Sequence, residues 1–316
     1  MSDRGPSGMV DALQKAAVIA VTLLVLAVFG FFLLTDPDLG SAGLERVPRG
    51  ETDLANGETL FWAGGCASCH ATPERDDPLH LGGGLALETD YGTFNVPNLS
   101  PSEDGIFGWT TAQFVRAMRG GVSPEGEHYY PSFPYTSYTR MTAADLRDLH
   151  GFLMTLEPVE GTVPGHDLRF PYAIRRGLGL WKLAFLDGEP FAAPEGMDPL
   201  LARGTYLVEG PGHCAECHSP RDLFGAIREE ARFAGGPNPE GRGFIPNITP
   251  HETGIGGWSR SEIVELLTSG FTPEFDVIGG PMAKVVDNTS RLSGEDREAI
   301  AAYLLSLPPR PETPRE

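Results

Sequence analysis

A long uncharged apolar run, AAVIAVTLLVLAVFGFFLL, occupies residues 16–34 near the start of the chain. As a helix rising about 1.5 Å per residue, it would span roughly 28 Å, which is close to the hydrocarbon thickness of a bilayer. A cleaved signal peptide is the alternative, but its apolar region usually has only about 7–15 residues, and a small-residue cleavage site follows it. Here TDPDLG follows, so the pattern predicts an uncleaved membrane anchor within residues 1–35.

The charges on either side of this run predict its orientation. Arg4 and Lys15 precede the run, whereas Asp36 and Asp38 follow it. Because basic residues are enriched on the cytoplasmic side of membrane segments, we expect the N-terminus in the cytoplasm and the rest of the chain outside it.

Beyond the anchor, one order of helical patterns occurs twice. Each copy has a helix-period segment that ends at a glycine and a later one that ends before a proline. In the first and second copies these segments are residues 110–121 and 259–270, followed by 142–156 and 293–307. Thr142 and Ser293 are suitable N-caps for the later helices, and Pro158 and Pro308 stop them. Alternating β-branched runs are scarce, so the pattern predicts a mainly α protein.

Two motifs mark the same repeat. CASCH at residues 66–70 recurs as CAECH at 214–218, and PNLSPSEDGIFGWT at 97–110 recurs as PNITPHETGIGGWS at 246–259. The copies run roughly over residues 51–159 and 199–309, which predicts two domains of one kind joined by a linker at 160–198. The linker contains LRFPYAIRRGLGLWKLAFLDGEP. We interpret it as a strap across one domain, and a contact with a membrane surface or a partner is the alternative.

Composition and charge limit the classes of protein and of partner that fit this chain. The 316 residues are enough for two modest domains, and the apolar fraction of 41% is ordinary for a folded protein. The formal net charge of −19 disfavours nucleic acid as a partner, because phosphates attract basic surfaces. Such acidity suits a domain in water, and it is able to steer docking to a basic protein.

All four cysteines fall in the two C-x-x-C-H motifs, a spacing typical of covalent haem attachment. Two thiols about one helical turn apart add across the haem vinyl groups, and the following histidine meets the iron. Zinc would need further Cys or His ligands at set spacings, and a redox dithiol would favour a βαβ context. The sequence therefore predicts two covalently attached haems c, attached outside the cytoplasm. Asn98 and Asn247, at equivalent places in the repeat, are candidates to bind a haem propionate or the backbone.

The two copies resemble the class I cytochrome c domains of cytochrome subunits that accompany membrane-bound alcohol dehydrogenases and related dehydrogenases in bacteria. The resembling stretches include YYPSFPYTSYTRM in the first copy, and GHCAECHSPRDLFGA and GGPMAKVVDNTSRL in the second. The resemblance implies two tandem class I cytochrome c domains in a bacterial protein. With the anchor, its charge bias and the place of haem attachment, this predicts a single-pass protein of the bacterial inner membrane with the haem domains on the periplasmic side. The resemblance also implies thioether links at Cys66, Cys69, Cys214 and Cys217, and proximal iron ligands at His70 and His218. The family subunits usually carry three haems, whereas this chain has two motifs.

Elimination points to the second ligand of the second iron. Downstream of His218, Met282 is the only methionine and His251 the only histidine. His251 lies in the repeated loop, where the first copy has Ser102, so the repeat gives no reason for a ligand there. Met282 lies in what reads as a Gly/Pro loop shortly before the last helix, the place where class I cytochromes carry their methionine ligand. We therefore predict Met282.

The second ligand of the first iron is less defined by the sequence. In the resembling family a methionine often occurs in a Tyr-Pro-Ala-Met-Pro-Tyr stretch, and Phe133 stands at that place here. Among the methionines and histidines of this copy, Met141 and His128 are the candidates that lie in the loop before its last helix. We predict Met141, although its position just before the N-cap Thr142 also fits a hydrophobic staple. His128 and a five-coordinate iron are the alternatives.

Two haems in adjacent modules predict an electron carrier with no catalytic residues of its own. We expect the donor to be a quinol-oxidising complex or a dehydrogenase, and the acceptor to be a terminal oxidase or a soluble cytochrome. The sequence has no flavin, pterin or quinone-cofactor motif, so substrate oxidation would belong to another chain. The alternative is a dihaem peroxidase, which needs one iron with an open position and would fit the absence of a methionine at Phe133.

We expect two covalent haems per chain. The intact mass should equal that of the polypeptide plus two haems, because each C-x-x-C-H motif supplies two thiols for one haem. Replacing Cys66 and Cys69 with Ala should remove one haem, and the matched change at Cys214 and Cys217 should remove the other. Intact mass and haem-stained denaturing electrophoresis measure this. An unaltered chain that carries one haem or none would contradict the prediction.

Overall fold

A computed structural model of the chain describes residues 6–39, 46–239 and 243–314, and the side chains from residue 9 onward within the first range. Its first element is helix α1, Pro6–Leu34, which begins ten residues before the apolar run. Asp11 and Lys15 form an i,i+4 ion pair in that extension, at 2.8 Å. Arg4, used above for orientation, lies outside the described residues.

Helix α1 fits the predicted anchor by length and composition. Residues 9–34 have a mean hydropathy of 2.9 in their most apolar window, and none of that window is buried against the rest of the protein. Among the described residues it is the one helix long and apolar enough to cross a bilayer. A helix that is apolar all round and uncovered by protein needs an apolar surrounding.

Two sets of elements follow α1 in the same order. The first set comprises α2 Leu54–Ala63, α3 Cys66–His70, α4 Thr111–Gly120, α5 Tyr135–Tyr138 and α6 Ala143–Leu153. The second comprises α8 Pro199–Glu209, α9 Ala215–His218, α10 Arg260–Ser269, α11 Pro281–Thr289 and α12 Gly294–Ser306. Between them lie a 3₁₀ turn, Arg175–Gly177, and α7, Leu178–Phe185; a second 3₁₀ turn is Glu229–Ala231. The mainly helical prediction is confirmed.

Local capping explains where these helices begin and end. Thr110 and Ser259 form capping boxes at the starts of α4 and α10. Thr142 and Ser293 cap α6 and α12, as the sequence predicts. The helices α4 and α10 end at glycines with left-handed backbone, Gly121 at φ 58° and Gly270 at φ 79°.

The strands are short. Strands β1, Ala86–Thr89, and β2, Gly92–Asn95, form an antiparallel hairpin with Ala86 opposite Asn95. Strand β3, Asp167–Leu168, joins the other edge of β2 with Gly92 opposite Leu168. Strands β4, Gly236–Pro237, and β5, Phe244–Ile245, form a separate pair. Strand β3 belongs to the segment between the copies, so this segment is strapped across the first copy, as the sequence interpretation favours.

The region around Met282 differs from the sequence expectation. Met282 is the second residue of α11 rather than part of a Gly/Pro loop. Pro281 occupies the first helical position, where its fixed φ and missing N–H favour the start of a helix. The loop prediction was wrong because Gly280 and Pro281 mark a helix start as well as a turn.

Each copy is closed by a crossing of its first and last helices. Helix α2 packs on α6, and α8 packs on α12. A Cβ on Gly57 would lie 2.2 Å from the carbonyl oxygen of Asp148, and a Cβ on Gly204 would lie 2.0 Å from that of Ala299. Only glycine therefore permits these two close approaches. Buried apolar side chains from both copies form one contiguous core.

We expect Gly57→Ala and Gly204→Ala each to lower the free energy of unfolding by about 1–3 kcal/mol, because the new methyl group collides with backbone that has no room to move. Gly294→Ala is the matched control. Gly294 begins α12, and nothing lies within 4 Å of its Cβ position, so stability should be unchanged or slightly higher. Guanidinium unfolding of the purified variants measures the differences. Equal losses in all three would contradict this account of the crossings.

Candidate functional site

The first C-x-x-C-H motif forms a short helix of its own. Cys66, Cys69 and His70 lie at positions i, i+3 and i+4 of α3, so they share one face. Gly65 precedes them with a left-handed φ of 59°. In the second copy Cys214 is the N-cap of α9, and His213 takes the place of Gly65 with a φ of 37°. The structure therefore brings together both sets of predicted attachment residues.

The imidazoles of His70 and His218 are held in the same way. Nδ1 of His70 lies 2.9 Å from the carbonyl oxygen of Pro97, and Nδ1 of His218 lies 2.8 Å from that of Pro246. A carbonyl oxygen only accepts, so Nδ1 carries the proton and Nε2 keeps its lone pair. Burial lowers the pKa of both imidazoles, and the carbonyl hydrogen bonds oppose this shift without cancelling it. Both side chains are thus neutral donors suited to iron.

The first thiol of each motif is also held in its neutral form. Burial, and then the neighbouring Cys69, raises the pKa of Cys66 to about 12. Burial, and then Glu209, raises the pKa of Cys214 to about 12 as well. Within the described ranges, no group of three Cys, His, Asp or Glu side chains is placed to hold a metal ion. Two thiols and one neutral histidine on one face fit covalent haem and fit a zinc or thiolate site poorly.

Asn98 and Asn247 fasten the loops that carry the two prolines. Each side-chain oxygen accepts from a backbone N–H two residues later, at 2.8 Å. Each side-chain nitrogen donates at 2.7 Å to a carbonyl beyond the last helix of its copy, that of Val159 or that of Arg310. The sequence left open whether these asparagines bind a haem propionate or the backbone, and the structure shows them hydrogen-bonded to the backbone. They position the carbonyls that in turn orient His70 and His218.

The predicted methionines occupy different surroundings. Met282 is half-buried in the first turn of α11, and that helix packs against α2 and α3 of the first copy. Met141 is fully buried in the common core. Phe133 is half-buried, and its ring centroid lies 5.5 Å from that of Tyr138.

His128 lies at the foot of α1. Its Nε2 donates to the carbonyl oxygen of Thr35 at 3.0 Å, and its Nδ1 is buried without a hydrogen-bond partner. Burial lowers the pKa of this imidazole. Its hydrogen bond thus connects the first copy to the end of α1.

Each C-x-x-C-H helix bonds to the other copy, and these reciprocal bonds form a junction that the sequence did not reveal. Oγ of Ser68, in the first motif, accepts from Nδ2 of Asn288 in α11 at 2.8 Å. The equivalent residue of the second motif, Glu216, accepts from the hydroxyls of Thr136 and Ser137 in α5, both at 2.8 Å. Each motif therefore bonds to the other copy through the residue before its second cysteine. The only sequence signal was the change from Ser to Glu at that place in the repeat.

The loops before the two motifs also touch. His213 donates from Nε2 to the carbonyl oxygen of Gly64 at 3.3 Å, and its ring centroid lies 5.7 Å from that of Tyr138. Burial, followed by the nearby Cys66 and Cys69 thiols, raises the pKa of Tyr138 well above its ordinary value. The loop before the second motif thus contacts both the loop before the first motif and the neutral ring of Tyr138.

A cleft of about 790 Å³ opens on the outer side of this junction. It is lined by Trp62, Ala67, Ser68, Lys284 and Arg291, among others, and Arg291 stacks on the Trp62 ring at 4.3 Å. Ala67 and Ser68 lie on the face of α3 away from Cys66, Cys69 and His70. This cleft is therefore distinct from the attachment face.

Comparison with known proteins identifies relatives. Residues 54–157 match the family model described as cytochrome c. The chain is 50% identical over 301 residues to a dihaem cytochrome c-type protein of Cereibacter sphaeroides, a match that covers 94% of this chain and 99% of that protein. It is 36% identical over 265 residues to the fructose dehydrogenase cytochrome subunit of Gluconobacter japonicus, and 34% identical over 272 residues to the alcohol dehydrogenase (quinone) cytochrome c subunit of Gluconobacter oxydans. Those two matches cover 82% and 83% of this chain but 54% and 56% of the subunits, so the chain spans just over half of their length.

Glu216 should stabilise the junction in a pH-dependent way. Burial alone would raise its pKa, but the Arg221 guanidinium and the Thr136 and Ser137 hydroxyls outweigh burial and hold the pKa below the ordinary 4.5. Because the folded pKa is lowered, the contribution of Glu216 is complete above pH 4.5 and is lost as the pH falls through the folded value. We expect Glu216→Gln to lower the free energy of unfolding by about 3 kcal/mol at pH 7, since Arg221 loses its charged partner.

Denaturant unfolding at several pH values measures this difference, which should shrink below pH 4.5. Glu195→Gln, at an exposed position in the segment between the copies, is the control and should change stability little at either pH. A constant difference for Glu216→Gln down to pH 3 would refute the role of its charge.

Proposed function

This chain belongs to the cytochrome c family, and on that premise we propose that it carries electrons through two covalently bound haems, one in each copy of the repeat. The three relatives named above are a cytochrome and two cytochrome subunits, and the chain is an electron carrier rather than an enzyme. The dihaem name of the relative that matches almost end to end supports two haems.

The observation that carries this proposal is the matched pair of donor sets. In each copy two cysteines and a histidine lie together, and a proline carbonyl holds the imidazole with Nε2 available. We assign the thioether bonds to Cys66, Cys69, Cys214 and Cys217, and the proximal ligands to His70 and His218. Each haem, when bound, supplies an iron that alternates between the ferric and ferrous states. The chain fixes the orientation of each imidazole and keeps water from one side of it.

We assign the remaining ligands to Met282 and Met141. Met282 is supported by elimination, because it is the one methionine downstream of His218. Met141 is supported by its burial beside Tyr138, which lies near Cys66 and Cys69. The rival ligand His128 already uses Nε2 to bind Thr35. Thioether ligands raise the potential of a haem relative to a second histidine.

We propose that residues 51–159 and 199–309 are tandem class I cytochrome c domains, with residues 160–198 as their linker. The shared element order and the paired glycine crossings support this division. The reciprocal contacts of Ser68 and Glu216 support a fixed arrangement of the two sites, which suits passage of an electron from one haem to the other within the chain.

We propose further that α1 anchors the chain in the bacterial inner membrane, with both haem domains on the periplasmic side. Lys15 before the apolar run and Asp36 and Asp38 after it support this orientation. A dehydrogenase or quinol-oxidising complex would be the donor, and an oxidase or a soluble cytochrome the acceptor. The cytochrome subunits of fructose and alcohol dehydrogenases among the relatives favour a dehydrogenase as the donor.

Met282→Ala tests the second site. We expect loss of one sulfur-to-iron absorption band near the red end of the oxidised spectrum and a lower potential for one of the two haems, because a thioether ligand favours the ferrous state. Spectra and redox titration of the purified dihaem protein measure both quantities.

Met141→Ala should remove the other band, and the control His128→Ala should leave both bands in place. If Met141→Ala changes nothing while His128→Ala converts one haem to high spin, the first site is bis-histidine and the Met141 assignment is wrong. If neither variant matters and the unaltered protein reacts rapidly with peroxide, the carrier proposal gives way to a peroxidase.

A further inference from the structure

Residues 168–186 have an unusual composition for this chain. The segment LRFPYAIRRGLGLWKLAFL contains four basic residues and no acidic one, although the whole chain has a net charge of −19. It includes the 3₁₀ turn at Arg175–Gly177 and helix α7. The proposed electron-transfer sites make no use of it.

This segment is bonded directly to the end of the anchor helix. Arg176 donates to the carbonyl oxygen of Phe32 at 2.9 Å and to the Thr35 hydroxyl at 3.1 Å, and its guanidinium lies 5.1 Å from the Phe32 ring centre. Gly179 packs so closely on Thr35 that a Cβ would lie 2.6 Å from its Cα. Helix α7 therefore has a fixed place beside the last turn of α1.

Helix α7 has its polarity reversed relative to a helix on a water-facing surface. Lys182 is only 8% exposed, and its ammonium donates to the carbonyl oxygen of Gly120 at 2.8 Å and lies over the Tyr135 ring. Leu180 and Leu183 point outward and are 43% and 52% exposed. An outward apolar face with the cation turned inward indicates an apolar surrounding on the outer side.

A loop of the second copy extends the same face. Trp181 donates from Nε1 to the carbonyl oxygen of Phe224 at 2.9 Å, and the Phe185 and Phe224 rings lie 6.1 Å apart. Phe224 is 70% exposed, and Leu223 beside it is 99% exposed. We define the α7 face as the outward side chains of Ile174, Leu180, Leu183, Leu223 and Phe224.

We propose that the α7 face lies in the headgroup and acyl-chain boundary of the leaflet from which α1 emerges, as a second membrane contact; this rests on the proposed anchor. We favour the bilayer as the surface that covers this face, because the face is continuous with the proposed anchor. Arg176 and Gly179 contact the final turn of that helix. Interfacial helices insert an apolar face of this kind by about 5–10 Å. The contact would hold both copies at a set orientation to the membrane, since the face combines the segment that is bonded to the first copy with a loop of the second copy.

An exposed patch elsewhere in the second copy serves as a comparison. Phe275 is 86% exposed in the loop between α10 and α11, and the bridge that closes this loop joins Phe271 to Val277. The equivalent loop of the first copy is the one that carries His128 and is bonded to Thr35. Phe275 therefore matches Leu223 in exposure and apolar character without the connection to α1.

Nitroxide labels in the full-length dihaem protein, reconstituted into phospholipid vesicles, test the proposal. Single cysteines are introduced as Leu24→Cys in α1, Leu223→Cys in the α7 face and Phe275→Cys as the control; both non-anchor sites are so exposed that folding is not at risk. Relaxation by oxygen, which concentrates in lipid, is compared with relaxation by a water-soluble nickel chelate. The protein without an introduced cysteine should take up no label, because its four thiols are in thioether bonds.

The expected result is a label at residue 24 deep in lipid, a label at 223 relaxed more by oxygen than by nickel, and a label at 275 relaxed mainly by nickel. A label at 223 as accessible to nickel as that at 275, with 24 still in lipid, overturns the second contact and leaves the anchor intact. Lipid-like values at both 223 and 275 overturn the assignment to the α7 face. Nickel access at 24 overturns the anchor, and the second contact with it.

Discussion

The hydrogen bond from each histidine Nδ1 to a proline carbonyl is the constraint on which the site depends. A short helix can place two thiols and an imidazole on one face, but it leaves the imidazole free to rotate and to exchange tautomers. The carbonyls of Pro97 and Pro246 remove both freedoms. Asn98 and Asn247 hold those carbonyls by bonding to the chain beyond each last helix. The orientation of the donor atom thus depends on the closure of the whole copy, including the crossing at Gly57 or Gly204.

At the junction, equivalent residues of the two copies bond to the other copy through different chemistry. Ser68 and Glu216 stand at the same place in their motifs, and each bonds to the other copy. The neutral Ser68 needs one amide donor. The buried carboxylate of Glu216 needs Arg221 and two hydroxyls, because an uncompensated charge there would be costly. The reciprocal arrangement holds each attachment helix against the other copy, which suits the proposed passage of an electron within the chain.

The segment between the copies is more than a connection. Strand β3 extends the hairpin of the first copy, and Lys182 binds the carbonyls at the end of α4. Arg176 joins the same segment to the last turn of α1. These contacts join α1 to the first copy. If α1 is the proposed anchor, it sets the orientation of the first site and, through the junction, of the second.

The sequence by itself determined the parts of the protein that depend on local chemistry. The apolar run, the repeated C-x-x-C-H motifs, the capping residues Thr142 and Ser293 and the mainly helical class follow from spacing and residue type alone. The tertiary structure decided what depends on distant contacts. Asn98 binds the backbone of a residue 61 positions away, and Glu216 binds a residue of the other copy 79 positions away. Lys182 turns inward because it binds a carbonyl 62 positions away. No local pattern records such contacts, because a side chain is placed by the packing of the elements that carry it.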